Sequence, residues 1–358
     1  MKWIVTGGAG FIGCNTAAKL LQRGDYVVAV DNLSRPGTEL NLAWLEQQGF
    51  GGFTFARCDV RDAQALEEVF AASADAQAVL HLAGQVAVTT SIRDPRADFE
   101  TNALGTFNVC EAVRRHTPDA VLVNASTNKV YGDGGGGSLE LVDGRWWDAA
   151  SPQGIAETVP LDFHSPYACS KGAADQYVLD YARTFGIRSV SLRQSCIYGP
   201  RQFGIEDQGW VAWLTSAALG RRRFTIYGDG RQVRDVLYVD DLAALYAACA
   251  AAPDLVSGKA LNAGGGPANA LSLLELVASL EARLGRELDY AFAEPRLGDQ
   301  KFFVADTTRA RELLGWSPAV PLAEGLDRLM DWVSAHLDEV LDVVTAAGSS
   351  AAIAQSGA

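Results

Sequence analysis

Three glycines at a spacing of three, Gly7, Gly10 and Gly13, constrain this chain more than any other feature. They fall directly after a short apolar run, Trp3–Thr6, and directly before a stretch of helical periodicity, Phe11–Arg23. Glycines at such a junction permit a tight turn and bring backbone N–H groups up to a pyrophosphate at the helix N-terminus. A glycine triplet alone also serves as a plain turn. The context adds an acidic residue, Asp31, which closes the second apolar run, Tyr26–Val30. A carboxylate there accepts hydrogen bonds from adenosine ribose hydroxyls and repels a 2′-phosphate, which favours NAD over NADP, although Arg35 lies close by. Asp59 closes the third run and is open to two roles, a contact to the adenine amino group or an N-cap for the next helix.

The first half of the chain alternates. Apolar runs at Phe53–Ala56, Ala78–Leu82, Ala120–Asn124 and Ser189–Arg193 alternate with helical stretches at about Asp62–Phe70, Pro95–Arg115 and Pro166–Phe185. This pattern predicts an α/β fold, a doubly wound parallel Rossmann sheet, with a smaller C-terminal substrate-binding lobe. Residues 1–195 are expected to form the NAD-binding part, with the chain returning to it at about 236–265. Residues 196–337 are expected to form mainly the second lobe, with helices near Asp207–Leu219, Asp240–Ala251, Ser272–Leu284 and Leu322–Leu337. Asp133–Phe163, with a glycine run at Gly134–Gly137, reads as a flexible insertion over the substrate site, and 348–358 as a disordered tail.

Charge and cysteines bound the partners. Lys and Arg number 30 against 43 Asp and Glu, a net charge of −13, which argues against nucleic acid and anionic membranes. No apolar stretch reaches membrane-spanning length. The N-terminus enters a strand at once and leaves no room for a signal peptide. Six scattered cysteines without a CxxC pair read as reduced thiols in a cytoplasmic protein. The four histidines show no ligand spacing, and no metal is predicted.

Tyr167 and Lys171 are four apart at the start of a predicted helix, so they share one face. A lysine cation beside a phenol favours tyrosinate. That group can take a hydroxyl proton while hydride leaves the same carbon for NAD. Thr127, at the end of the fifth run, is placed to hold the hydroxyl.

TGGAGFIG at 6–13, Asp31, HLAG at 81–84, Asn102, STNKVYG at 126–132, YACSK at 167–171 and YGPRQ at 198–202 resemble the extended short-chain dehydrogenase/reductases, the NAD-dependent epimerase/dehydratase family, over roughly residues 1–335. HLAGQVAVTTSI (81–92), LDFHSPYACSKGAADQYVLDYARTFG (161–186) and DQGWVAW (207–213) are similar, more closely, to its CDP-paratose 2-epimerase (CDP-tyvelose epimerase) branch. The resemblance implies an isomerase that inverts carbon 2 of a CDP-deoxyhexose through a 2-keto sugar. It implies Thr127, Tyr167 and Lys171 as catalytic residues. It implies a cofactor site of Gly7, Gly10, Phe11, Ile12, Gly13, Asp31, Asn32, Ser34, Arg35, Asp59, Val60, Leu82, Ala83, Gly84, Asn102, Tyr167 and Lys171, with Asn102 supporting the lysine. For the substrate it implies Gln85, Thr127, Asn128, Gln194, Arg201, Arg234, Arg296 and Asp299, the two arginines 234 and 296 on the diphosphate and Asp299 on a ribose. A homodimer or homotetramer is expected.

Two departures discriminate within the family. The related 4,6-dehydratases carry Asp-Glu after the catalytic threonine, and this chain has Asn128-Lys129, which argues against dehydration. Carbon-4 epimerases usually carry asparagine where this chain has Cys196. The alternatives left open are a UDP-hexose 4-epimerase or another nucleotide-sugar enzyme of the family, a net dehydrogenase, and a non-catalytic dinucleotide sensor. An intact Thr127, Tyr167 and Lys171 speaks against the last.

Overall fold

The computed structural model describes residues 1–134 and 139–356, with side chains to 346. The strands in chain order are β1 (Lys2–Thr6), β2 (Tyr26–Asp31), β3 (Phe53–Arg57), β4 (Ala78–His81), β5 (Val121–Thr127), β6 (Leu139–Val142), β7 (Arg145–Asp148), β8 (Ser189–Gln194), β9 (Cys196–Tyr198), β10 (Phe224–Tyr227), β11 (Val233–Tyr238), β12 (Lys259–Ala263), β13 (Ala270–Ser272), β14 (Tyr290–Ala293) and β15 (Phe302–Phe303). Seven form one sheet, in the order β12-β8-β5-β4-β1-β2-β3. All of its pairings are parallel. This is the doubly wound sheet that the alternating pattern predicts.

The strands read as continuous apolar runs because both faces are buried. Trp3 and Val5 pack into one core with Leu80, Val123, Leu192 and Leu245. Ile4, between them, points the other way, into a core with Val79, Leu122, Phe70 and Val109. Chain order reverses at β1, with β2 on one side and β4 on the other. In such sheets the crevice beyond the carboxyl ends of the strands, at this switch point, is where ligands bind. A third core lies outside the sheet, formed by Leu214, Ala217, Val236, Leu276, Leu326 and Leu329 among others.

Several elements differ from expectation. The long helix occurs as Pro95–Phe99, a π-helical turn at Glu100–Leu104, and Gly105–His116. Such turns occur frequently at functional sites, and Asn102 lies in this one. A helix at Thr38–Gln47 has no counterpart in the sequence reading, because its buried face carries Thr38 and Asn41 beside Leu45. The insertion is partly ordered: β6 and β7 pair antiparallel. Their turn places Asp143 (φ 50°) and Gly144 (φ 82°) in the left-handed region, the two-residue hairpin that Asp-Gly favours. Trp147 packs edge-on against Phe302, 5.3 Å between ring centres. Among the described residues of the insertion, none lines the main cleft, which corrects its expected place over the substrate site. The glycine run beyond Gly134 lies outside the described residues. The C-terminal helix Leu337–Ser356 runs through most of the tail that was expected to be disordered, alanine being the strongest helix former. Residues 357–358 lie outside the described residues.

Candidate active site

A cleft of about 500 Å³ runs along the carboxyl ends of β1, β2, β4 and β5 and out between the sheet and the third core. Its walls include 23 of the residues that the sequence singled out, all but Gln85 and Asn102.

At one end stands the glycine loop. Gly7 has φ +70°, and a Cβ on it would lie 2.7 Å from the Ala83 amide nitrogen. A Cβ on Gly13 would lie 2.1 Å from the Gly7 carbonyl oxygen. Only glycine permits this turn and this helix–strand approach. Gly10 caps the helix Phe11–Gln22 without any side-chain bond, and the first turn holds no acidic residue. Its leading N–H groups and the positive helix end therefore face the cleft unopposed, which suits a pyrophosphate. The Asp31 carboxylate accepts from the amides of Leu33 at 2.9 Å and Ala9 at 3.1 Å, so it also braces the loop. Burial raises its pKa against those bonds. These features fit a dinucleotide. Asp59 is not the N-cap: that is Asp62, which accepts from Ala65. Asp59 instead binds Arg61 (2.7 Å) and Asn32 (2.9 Å), and chiefly the Arg61 bond holds its carboxyl down at about 2.

The reactive groups meet at the end of β5. Thr127 is its last residue and starts a 3₁₀ turn, Asn128–Tyr131. Ser165 caps the helix Pro166–Phe185, Pro166 takes its first position, and Ser91 Oγ accepts the Tyr167 amide at 3.1 Å. This fixes Tyr167, with its phenol against the Thr127 hydroxyl. The Lys171 ammonium, one turn on, donates to the Ala125 carbonyl of β5. Burial pushes the phenol up to about 12, outweighing the Thr127 bond, and pulls Lys171 down to about 8. The lowered phenol pKa that the Tyr-Lys spacing predicts is absent here, since desolvation wins in the enclosed pocket.

Asn102 and Gln85 are placed differently from expectation. The Asn102 amide bonds Gln85 backbone, Asp98 and Ser170, none of them Lys171. It ties the π turn to the Gly84–Gln85 loop and to the tyrosine helix. The Gln85 side chain is spent on Ala87 and Asp98 (2.8 Å each) and lies off the cleft. Asp98, buried at the centre of this knot, also accepts from Ser170 at 2.6 Å. Sequence reading missed it; its i, i+4 spacing to Asn102 is the available hint.

At the other end of the cleft Arg234 is buried and donates to Asp299 at 2.8 Å and to the Gln300 carbonyl. Asp299, expected on a ribose, is thus an arginine partner. Arg296 lies over the Tyr227 ring (3.7 Å), bonds the Glu206 carbonyl (3.0 Å) and pairs with Asp207 (3.2 Å). Gln194 donates to Tyr246. Arg201 also lines the cleft, its guanidinium over Trp44 at 4.3 Å, near Cys14 of the first helix. It therefore stands by the glycine-loop end, held by stacking, rather than beside Arg234.

A dinucleotide fold whose cleft is lined by Thr127, Tyr167 and Lys171 has the layout of an NAD-linked enzyme. The profile of the NAD dependent epimerase/dehydratase family matches residues 3–264. CDP-paratose 2-epimerase of Salmonella typhi is 42% identical over 339 residues, covering 93% of this chain and 99% of that protein. UDP-glucose 4-epimerase of Mycolicibacterium smegmatis is 33% identical over 332 residues, 93% of this chain and 98% of that protein. The crystal structure of UDP-glucuronic acid 4-epimerase from Bacillus cereus, in complex with UDP-glucuronic acid and NAD, superposes with a TM-score of 0.78 at 28% identity, covering 94% of this chain and 99% of that one. The chain belongs to the NAD-dependent epimerase/dehydratase family. It is an NAD-dependent enzyme of the epimerase type, an isomerase. Among the described residues no helix is long and apolar enough to cross a membrane.

Proposed function

We propose that the protein inverts carbon 2 of a CDP-linked deoxyhexose, in the manner of CDP-paratose to CDP-tyvelose, through a transient 2-keto sugar. The observation that carries this is the convergence of Thr127, Tyr167 and Lys171 on one cleft wall, followed by Asn128-Lys129 instead of a carboxylate pair. The similarity to CDP-paratose 2-epimerase supports the sugar, the base and the carbon. Bound NAD supplies a hydride acceptor and donor. The glycine loop and Asp31 would hold it, and Lys171 would bind its ribose. Thr127 hydrogen-bonds the sugar hydroxyl, and Tyr167 takes and returns that hydroxyl's proton. For this the phenol must come down from about 12, and Lys171, one helical turn on, supplies a positive charge on the same helix face. Arg234 and Arg296 hold the diphosphate while the keto sugar turns about its phosphate bond and presents its other face.

Cofactor and substrate divide between two lobes in this reading. Residues 1–195, with the chain returning at 236–265 to supply β12, hold NAD, and 196–337 mainly hold the nucleotide sugar. The alternative, a UDP-hexose 4-epimerase, is favoured by the M. smegmatis relative of equal coverage. Cys196 in place of the usual asparagine counts against it. Incubation with CDP-, UDP- and dTDP-linked sugars followed by product NMR tests the proposal. A CDP-deoxyhexose inverted at carbon 2 is the expected product. Inversion of UDP-hexoses at carbon 4 alone would establish the alternative.

Replacement of Arg234 by alanine is expected to raise KM by roughly tenfold to a hundredfold, the scale of a lost hydrogen bond between charged groups. Arg296→Ala should do less, since Arg296 is more exposed than Arg234. NAD content should stay unchanged in both. A matching loss of NAD would place these arginines at the cofactor.

We further propose a cytoplasmic homo-oligomer. All six cysteines are free thiols. Phe99, Leu104, Phe107 and Tyr177 are exposed on the two neighbouring helical segments 95–116 and 166–185, an apolar face suited to a second copy. Sedimentation velocity distinguishes monomer, dimer and tetramer.

A further inference from the structure

Lys129 is the one cation of the STNKVYG stretch, and the mechanism above leaves it without work. It follows Thr127 by two residues and lines the cleft beside Cys196 and Arg234. Its Nζ donates to the Gly298 carbonyl at 3.1 Å. The nearest carboxylate oxygen, Asp299 Oδ1, is 3.8 Å away, and the same oxygen sits only 2.8 Å from Arg234. Two cations thus share one carboxylate, and Arg234 has the better claim. An ammonium carries three donors, and the Gly298 bond uses one. A surplus positive charge in a part-buried wall is costly until an anion arrives.

We propose that Lys129 is a substrate-positioning residue, a cation that holds the terminal phosphate of the nucleotide diphosphate where the sugar is attached. The placement fits that role. Thr127, which meets the sugar hydroxyl, accepts the Lys129 amide on its Oγ1 at 3.3 Å, and Arg234, on the diphosphate, shares the Asp299 carboxylate with the Lys129 ammonium. The inference rests on the reading of the substrate as a nucleotide diphosphate-sugar. Burial and the neighbouring Arg234 pull the ammonium down to about 8, against Asp299, Cys196 and Asp133, which favour its charge. His164 and Asp133 line a small hollow together with it. Diphosphate binding must raise that pKa. Affinity is therefore full below about pH 8 and falls as pH rises towards the bound-state value, by up to about tenfold per unit. A residue that merely latched the Gly298 loop would behave otherwise, because a neutral amine still donates to a carbonyl.

The test is calorimetric titration of the NAD-loaded full-length protein with CDP, UDP and CMP between about pH 7 and 9.5, for the parent, Lys129→Met and Lys129→Arg. For whichever diphosphate the parent binds better, its affinity should fall across this range. Lys129→Met should bind that diphosphate roughly tenfold to a hundredfold more weakly at pH 7, with little pH dependence. Lys129→Arg should keep tight binding and lose the pH dependence, since guanidinium stays charged. CMP, lacking the terminal phosphate, should differ little among the three. NAD content reports an intact fold, and if the methionine variant loses it, the arginine variant carries the test. Equal weakening of CMP and diphosphate, a pH dependence that survives in either variant, or a methionine variant within about twofold of the parent overturns the proposal. If the parent binds neither CDP nor UDP, the nucleotide-sugar reading falls, and this inference with it.

Discussion

Tyr167→Phe is expected to lower kcat by roughly 10²–10⁴-fold, the usual contribution of a positioned acid–base group, while NAD content and thermal unfolding stay close to the parent's. The phenylalanine keeps the ring, which is buried against the end of β5. It removes the phenol oxygen, which faces Thr127 and can move a proton there. The helix start is unaffected, because Ser165, Pro166 and the Ser91 bond act through the backbone. Steady-state rates together with cofactor released on denaturation check this. A variant with a near-parental rate would move the proton transfer to another residue.

Asp175→Ala should be the most destabilising single change, at about 3–5 kcal/mol, a large part of the roughly 5–15 kcal/mol that holds a protein folded. Asp175 is wholly buried, and it accepts from Arg193 Nη2 at 2.9 Å and Ser191 Oγ at 2.7 Å. Arg193 also donates to the Tyr131 hydroxyl (3.1 Å), which donates to Asn262 (2.8 Å). This network joins the tyrosine helix, β8, the turn after β5 and β12. Alanine would leave a guanidinium buried without its counter-charge. The double variant Asp175→Leu with Arg193→Met removes both charges and should recover much of the loss. Denaturant unfolding of the single and double variants measures both effects. A single-variant cost below about 1 kcal/mol would show that water or another acceptor satisfies Arg193. Lys171 lies one turn before Asp175, which favours its charge, so catalysis should suffer together with stability.

Legibility in the sequence followed the range of the interaction. Gly7, Gly13 and Asp31 are set by local backbone demands, and the structure puts them at one cleft end, as their motif requires. Tyr167 and Lys171 share a face because helical spacing alone decides it. The stacking of Arg201 on Trp44 is not legible, because it depends on a helix, Thr38–Gln47, whose polar buried face hides it from pattern reading. Gln85 was misplaced because its partner Asp98 comes from another element. The hairpin β6–β7 was legible in principle through Asp143-Gly144, but the neighbouring glycines masked that turn. The phenol pKa was misjudged because the sequence gives spacing to a lysine and says nothing of burial.

Deuterium tracing at carbon 2 of the substrate tests the central claim most directly. A CDP-deoxyhexose labelled at carbon 2 is expected to yield an epimer that keeps its deuterium there, and unlabelled substrate in heavy water to gain none. Asn128-Lys129 offers no carboxylate to strip a carbon-bound proton, and Tyr167 is placed against a hydroxyl. Solvent deuterium appearing at carbon 2, or label washed out from it, would mean enolisation and would rule out hydride transfer at that carbon.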